Sequence, residues 1–111
     1  VSAEEILDKA GQYLAEDPSH WIKDFLRNNE GGVCSIGAID MVCTQGNFSR
    51  EEEIAAQNAL VQVVGEHYPD SIRILDVGVN IPSWNDAKER RYSEVVAMFE
   101  KARAFAAEKG L

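Results

Sequence analysis

Apolar residues recur at helical spacing along most of this chain. Ile6, Leu7, Ala10 and Leu14 fall on one face, with Tyr13 beside them, and predict an amphipathic helix over 3–16. Ser2 and Glu5 have the spacing of a capping box, in which each side chain satisfies a backbone N–H left free at the helix start. Asp17-Pro18 stops that helix, because the residue before a proline is driven out of the helical region. Trp21, Ile22, Phe25 and Leu26 then form one stripe on a short second helix over 19–27. Asn28 to Gly32 supplies polar turn formers and free backbone angles, and reads as a loop.

The run from Val33 to Cys43 is the most apolar in the chain and predicts a helix over 34–45. Small residues share one of its faces: Cys34, Gly37, Ala38 and, with them, Met41. A glycine inside a helix costs about 1 kcal/mol against alanine, so Gly37 needs a compensation. Close packing is the one expected, with the ring of Trp21 or Trp84 lying where a side chain would have been. Ser49 and Glu52 make a second capping box, and Glu51, Glu52 and Glu53 suit the positive end of a helix over 50–67. Ile54, Ala55, Val61 and Val64 are its expected inward face, with Asn58 on the same side. Tyr68-Pro69-Asp70 closes it. Residues 72–81 alternate imperfectly between Ile72, Ile74, Val77, Val79 and Ile81, and predict a short extended segment. Ser83 and Asp86 repeat the capping pattern once more. Tyr92, Val95, Val96, Phe99, Ala102 and Ala106 form the stripe of a final helix over 84–109, with Gly110 as terminator.

The fold class is therefore mainly α: one compact helical domain over 1–111 with four or five helices, its central layer the 34–45 segment packed against both tryptophans. A length of 111 residues suits one domain. Charge narrows the partners. The net charge is −8, and a compact acidic surface repels phosphate backbones, so no nucleic-acid partner is expected. Lys88, Arg90 and Arg91, with Arg103 further on, are a small basic cluster best read as a solvated, paired face. No apolar run approaches the roughly 20 residues that span a bilayer, so no membrane partner is expected, and a soluble, cytoplasmic protein is. The polar start is unlike a signal or transit peptide, and Val1 is no initiator, so residues upstream are expected to have been removed.

Candidate chemistry is sparse. Cys34 and Cys43 lie nine residues apart, on opposite sides of a helix, and with His20 and His67 match no zinc spacing. No metal, no cofactor and no catalytic residue is assigned; the cysteines read as buried, reduced thiols. The richer stretch is Trp84-Asn85-Asp86 with Arg90. It has two readings. In the structural one the Trp84 indole enters the core, Asn85 and Asp86 cap backbone groups or receive Arg90, and Arg90 pairs onward with Glu94. In the other the four residues line a small polar pocket, with Trp84 as a stacking wall.

The order of rare residues adds a resemblance. A tryptophan at Trp21, then Cys34-x-x-Gly37-Ala38, then Trp84-Asn85-Asp86, Arg90 and Glu94-Val95-Val96 is similar to the pattern of a family of small uncharacterised domains common in actinobacteria and their phages. The resemblance spans Trp21 to Ala106 and implies a phage or prophage origin, with no assigned activity. It also implies a chain break after the Asn-Asp turn. Lys88, Glu89 and Arg91 stand where that family has proline or glycine and threonine, so starts for the last helix at 84 and near 91 both remain open. The expected function is a non-enzymatic interaction protein that binds a protein partner or forms a homo-oligomer, with Phe25, Phe48 or Met98 in an exposed apolar patch. The alternative is a small-molecule-binding domain or minor enzyme using the Trp84-Asn85-Asp86-Arg90 corner.

Overall fold

Helix α1 (Ser2–Glu16) is the element the others close around, and it packs on α2 (Ser35–Gly46), α3 (Arg50–His67) and α5 (Tyr92–Lys109). A single 3-10 turn, Pro18–His20, follows α1, and the short α4 (Ile81–Asp86) precedes α5 and rests on α2. The computed structural model describes residues 2–69 and 80–111. Within them the fold is mainly α, with five α-helices and no strand. Two isolated bridges, Trp21–Val33 and Arg27–Val33, tie the long connection between the 3-10 turn and α2. None of the helices is long and apolar enough to cross a membrane.

The helix starts follow from side chains that replace missing backbone partners. Cys34 caps α2, its Sγ accepting from Gly37 N at 3.3 Å. Ser49 and Glu52 form the reciprocal box on α3: Ser49 Oγ accepts from Glu52 N at 3.1 Å and Glu52 Oε1 from Ser49 N at 2.7 Å. Asn80 caps α4 through Ser83 N at 3.1 Å, and Pro82 sits in the first turn, where a missing N–H costs nothing. Gly110 ends α5 at φ 71°. Ile6, Leu7 and Leu14 of α1, Ile39 of α2, Leu60 and Val64 of α3, Trp84 of α4 and Phe99 of α5 are fully buried together. Ala10, Ala56, Ala59, Ala102 and Ala106 let the helix backbones approach between them.

Several expectations need correction. The stripe over 19–27 is not a helix: after the 3-10 turn the chain extends, and Ile22 N and Val33 N bond to Val33 O and His20 O at 3.0 and 2.8 Å. Pairing across the loop has taken the backbone groups that a helix would need. The inward face of α3 is rotated from the one expected. Ala56, Ala59, Leu60, Val63 and Val64 are buried, while Ile54 is 40% exposed, Ala55 and Val61 are half-buried and Asn58 is exposed. The last helix does not run from 84, because α4 stops at Asp86 and α5 starts at Tyr92. Ser83 lies inside α4 and does not cap it. Glu5 pairs with Lys9 at 3.2 Å, and α1 already includes Ser2. Most of the extended segment expected at 72–81 lies outside the described residues, and Ile81 opens α4.

Candidate functional site

Asn85 is fully buried at the end of α4 and binds three parts of the chain at once. Its Oδ1 accepts from Trp21 Nε1 at 2.7 Å, Ser35 Oγ at 2.7 Å and Ser35 N at 3.0 Å. Its Nδ2 donates to Ile22 O at 3.0 Å and Asp86 Oδ1 at 2.9 Å. Both ends of the amide are thus used, as burial requires. Asp86 Oδ1 in turn accepts from the backbone of Asp24 at 2.9 Å. Asp24 is held at φ 73°, a left-handed angle uncommon outside glycine.

The same loop is gripped again two residues on. Cys34 N donates to Leu26 O at 3.1 Å. A Cβ at Gly37 would collide with that carbonyl, so the partner that requires a glycine there is the Leu26 backbone, and neither indole. Loop residues 22–26 therefore turn their backbone inward, onto Asn85, Asp86 and Cys34. The side chains of Phe25 and Leu26 are left outside, 71% and 47% exposed. They border a cleft of about 220 Å³, lined also by Asp24, by Cys34 and Ile36 at the start of α2, and by Pro82 and Asp86 of α4. Of the other apolar candidates, Phe48 is half-buried against the core and Met98 is buried.

Trp84 is sealed, with 0% exposure. Its ring and that of Tyr68 enclose the Arg90 guanidinium at 4.7 and 4.3 Å, and the two rings meet edge to face at 5.6 Å. Arg90 is 6% exposed, and its Nε donates to Trp84 O at 2.9 Å, closing the carbonyl end of α4. The expected Asp86–Arg90 pair does not form, because the break after α4 removes the helical register. The expected onward pair of Arg90 with Glu94 does form, at 3.4 Å. Glu94 also accepts from Arg91 N at 2.8 Å, and this backbone bond, then the Arg90 charge and the Tyr68 hydroxyl, hold its carboxyl below the ordinary range. The basic cluster expected at 88–91 thus dissolves: Arg90 is interior, while Arg103 pairs with Glu100 at 2.6 Å.

The remaining candidates lie apart. His20 stacks on Tyr13 at 4.1 Å and bonds to its carbonyl at 2.7 Å, and His67 bonds to Val63 O at 2.9 Å. Cys34 and Cys43 are free and buried. Burial, then the charges of Glu53, Asp40 and Glu52, push the Cys43 thiol up to about 11, away from nucleophilic duty. Among the described residues no three metal-binding side chains cluster. Sequence reading missed Ser35 and Asp24. A serine beside a helix-capping cysteine signals a turn but no acceptor, and nothing in the sequence marks the left-handed angle of Asp24.

These features define a small, mainly helical domain with a buried amide hub and a gripped, outward-facing loop. The chain belongs to DUF6197, a family of unknown function whose model matches residues 1–105. No curated protein and no solved structure matches it.

Proposed function

We propose that this chain is a non-enzymatic protein-interaction module that docks a partner protein at the cleft beside Phe25 and Leu26. One observation carries the reading: the fold commits a fully buried asparagine, an aspartate and a left-handed residue to holding two large apolar side chains in solvent. Full burial of such a side chain is worth about 1.5–3 kcal/mol, of which Phe25 and Leu26 forgo a large part. Strained backbone held in place by its surroundings concentrates where function uses it. A small-molecule site at Trp84-Asn85-Asp86-Arg90 gathers less support, since the indole and the amide are sealed and Asp86 accepts a backbone N–H. The two buried free thiols suit a cytoplasmic setting, and a phage or prophage gene product acting on a host protein suits the resemblance.

The test compares the wild-type chain with a Phe25→Ser/Leu26→Ser variant. Because both side chains are exposed, stability should stay within about 0.5 kcal/mol by urea denaturation. A partner recovered stoichiometrically from host extract, purified, and bound by the wild type only would support the reading. Dimerisation lost in the variant, seen by sedimentation, would assign the cleft to a second copy. Equal binding by both proteins would sink the proposal.

A further inference from the structure

The cleft beside Phe25 and Leu26 is apolar within and acidic at its edge. Its lining includes Asp24 and Asp86 and, among the described residues, no basic one. Neither carboxylate has an ion-pair partner among the described residues. Among the described residues Asp86 accepts two hydrogen bonds, from Asp24 N and Asn85 Nδ2, both at Oδ1, which leaves its second oxygen to accept from a partner. One neighbouring cation, Lys23, is drawn the other way. Its Nζ donates to Ala87 O at 2.7 Å and Lys88 O at 3.4 Å and lies 5.6 Å from the centre of the Trp21 ring. Among the described residues the negative edge is therefore not ion-paired, on a chain whose net charge is −8.

Size limits the occupant. At about 220 Å³ the cleft lies below the roughly 300–1,000 Å³ typical of small-molecule pockets and suits one or two side chains of a partner segment. Charge selects among such segments. An acidic segment would meet two like charges, and a neutral one would cover carboxylates without pairing them. A basic segment gains at both, and an arginine can in addition lie on the open face of Phe25.

Building on the docking reading above, we infer that the cleft takes a basic–apolar segment of the partner protein: one large aliphatic or aromatic side chain between Phe25, Leu26, Ile36 and Pro82, with an arginine within a turn or so of it against Asp24 and Asp86. Orientation then comes from charge and residence from the apolar anchor.

A displayed library of random short peptides tests this against three forms of the intact chain: wild type, Asp24→Asn/Asp86→Asn, and Phe25→Ser/Leu26→Ser. The asparagines remove both charges while the side-chain amide oxygen introduced at position 86 can still accept the N–H of residue 24, and asparagine tolerates a left-handed angle. The expected result is enrichment of peptides pairing Leu, Phe or Ile with Arg. Their binding should weaken about tenfold on Asp24→Asn/Asp86→Asn and about tenfold from low to high salt, and vanish on Phe25→Ser/Leu26→Ser. Peptides without basic bias, or bound equally by the charge-neutral variant, yet lost on Phe25→Ser/Leu26→Ser, would overturn the charge inference and leave the docking reading standing. Peptides indifferent to Phe25→Ser/Leu26→Ser, or no enrichment at all, would overturn both.

Discussion

Along the seam between α1 and α5, Ile6, Leu7, Leu14, Phe99, Ala102 and Ala106 meet as hydrocarbon, all fully buried. At the α4 corner the buried groups are Asn85, Ser35 and the guanidinium of Arg90, joined by hydrogen bonds of 2.7–3.0 Å to backbone and to each other. The seam asks for volume and an apolar surface, which many residues supply. The corner asks for donors and acceptors at fixed points, which few residues supply. Apolar packing therefore sets that this chain folds, and the polar corner sets where one loop ends up.

The comparison breaks most readably under shape-conserving substitution. Asn85→Leu keeps the bulk and strands Trp21 Nε1, Ser35 N, Ser35 Oγ and Ile22 O. At about 1–3 kcal/mol per orphaned group, even partial rescue by water leaves an expected loss of about 4–6 kcal/mol. Leu7→Met on the seam should cost under about 1.5 kcal/mol. Equal losses in urea denaturation would erase the distinction between the regions. Trp84→Ala comes next, at about 3–5 kcal/mol, because it opens a cavity and removes one ring from the Arg90 guanidinium. An unchanged Tm would contradict the sealed placement of that indole.

The smallest effect separates strain from contact. Asp24→Ala should destabilise by about 1 kcal/mol through its left-handed angle, while Asp24→Gly should stay within about 0.5 kcal/mol of wild type. If alanine and glycine behave alike, the backbone at 24 is not strained.

What was legible in the sequence divides along the same line. The hydrocarbon stripes of α1 and α5 repeat at helical spacing, and their periodicity placed Ile6, Leu7, Leu14, Val95 and Phe99 inside. The Ser49–Glu52 box marked the start of α3 because both of its members are local. Elsewhere the deciding partners are distant. Trp21, Ile22, Phe25 and Leu26 look like a helical stripe, yet the backbone of Ile22, Asp24 and Leu26 answers to Val33, Asn85, Asp86 and Cys34. The break at 87–91 is built from good helix formers. It is held open by Lys23 on Ala87 O and Arg90 on Trp84 O, which composition does not announce. On α3 the apolar residues nearly encircle the helix, so pattern alone could not choose between Ile54 and Leu60. The Trp84-Asn85-Asp86-Arg90 stretch stood out as a corner, but its link to Phe25 did not, because that link passes through main-chain atoms.

The reach of Asn85 has a kinetic side. Its bonds close loops of 64, 63 and 50 residues, to Trp21, Ile22 and Ser35, and Asp86 closes one of 62 to Asp24. The entropy of bringing such distant points together is lost before any of these bonds forms, so the contacts suit the late part of the folding reaction. Substitutions at Asn85 should then steepen escape from the native basin and leave the rate of reaching it nearly unchanged: a lifted unfolding arm in a chevron plot, beside an unmoved folding arm. A slowed folding arm would place this closure in the nucleus.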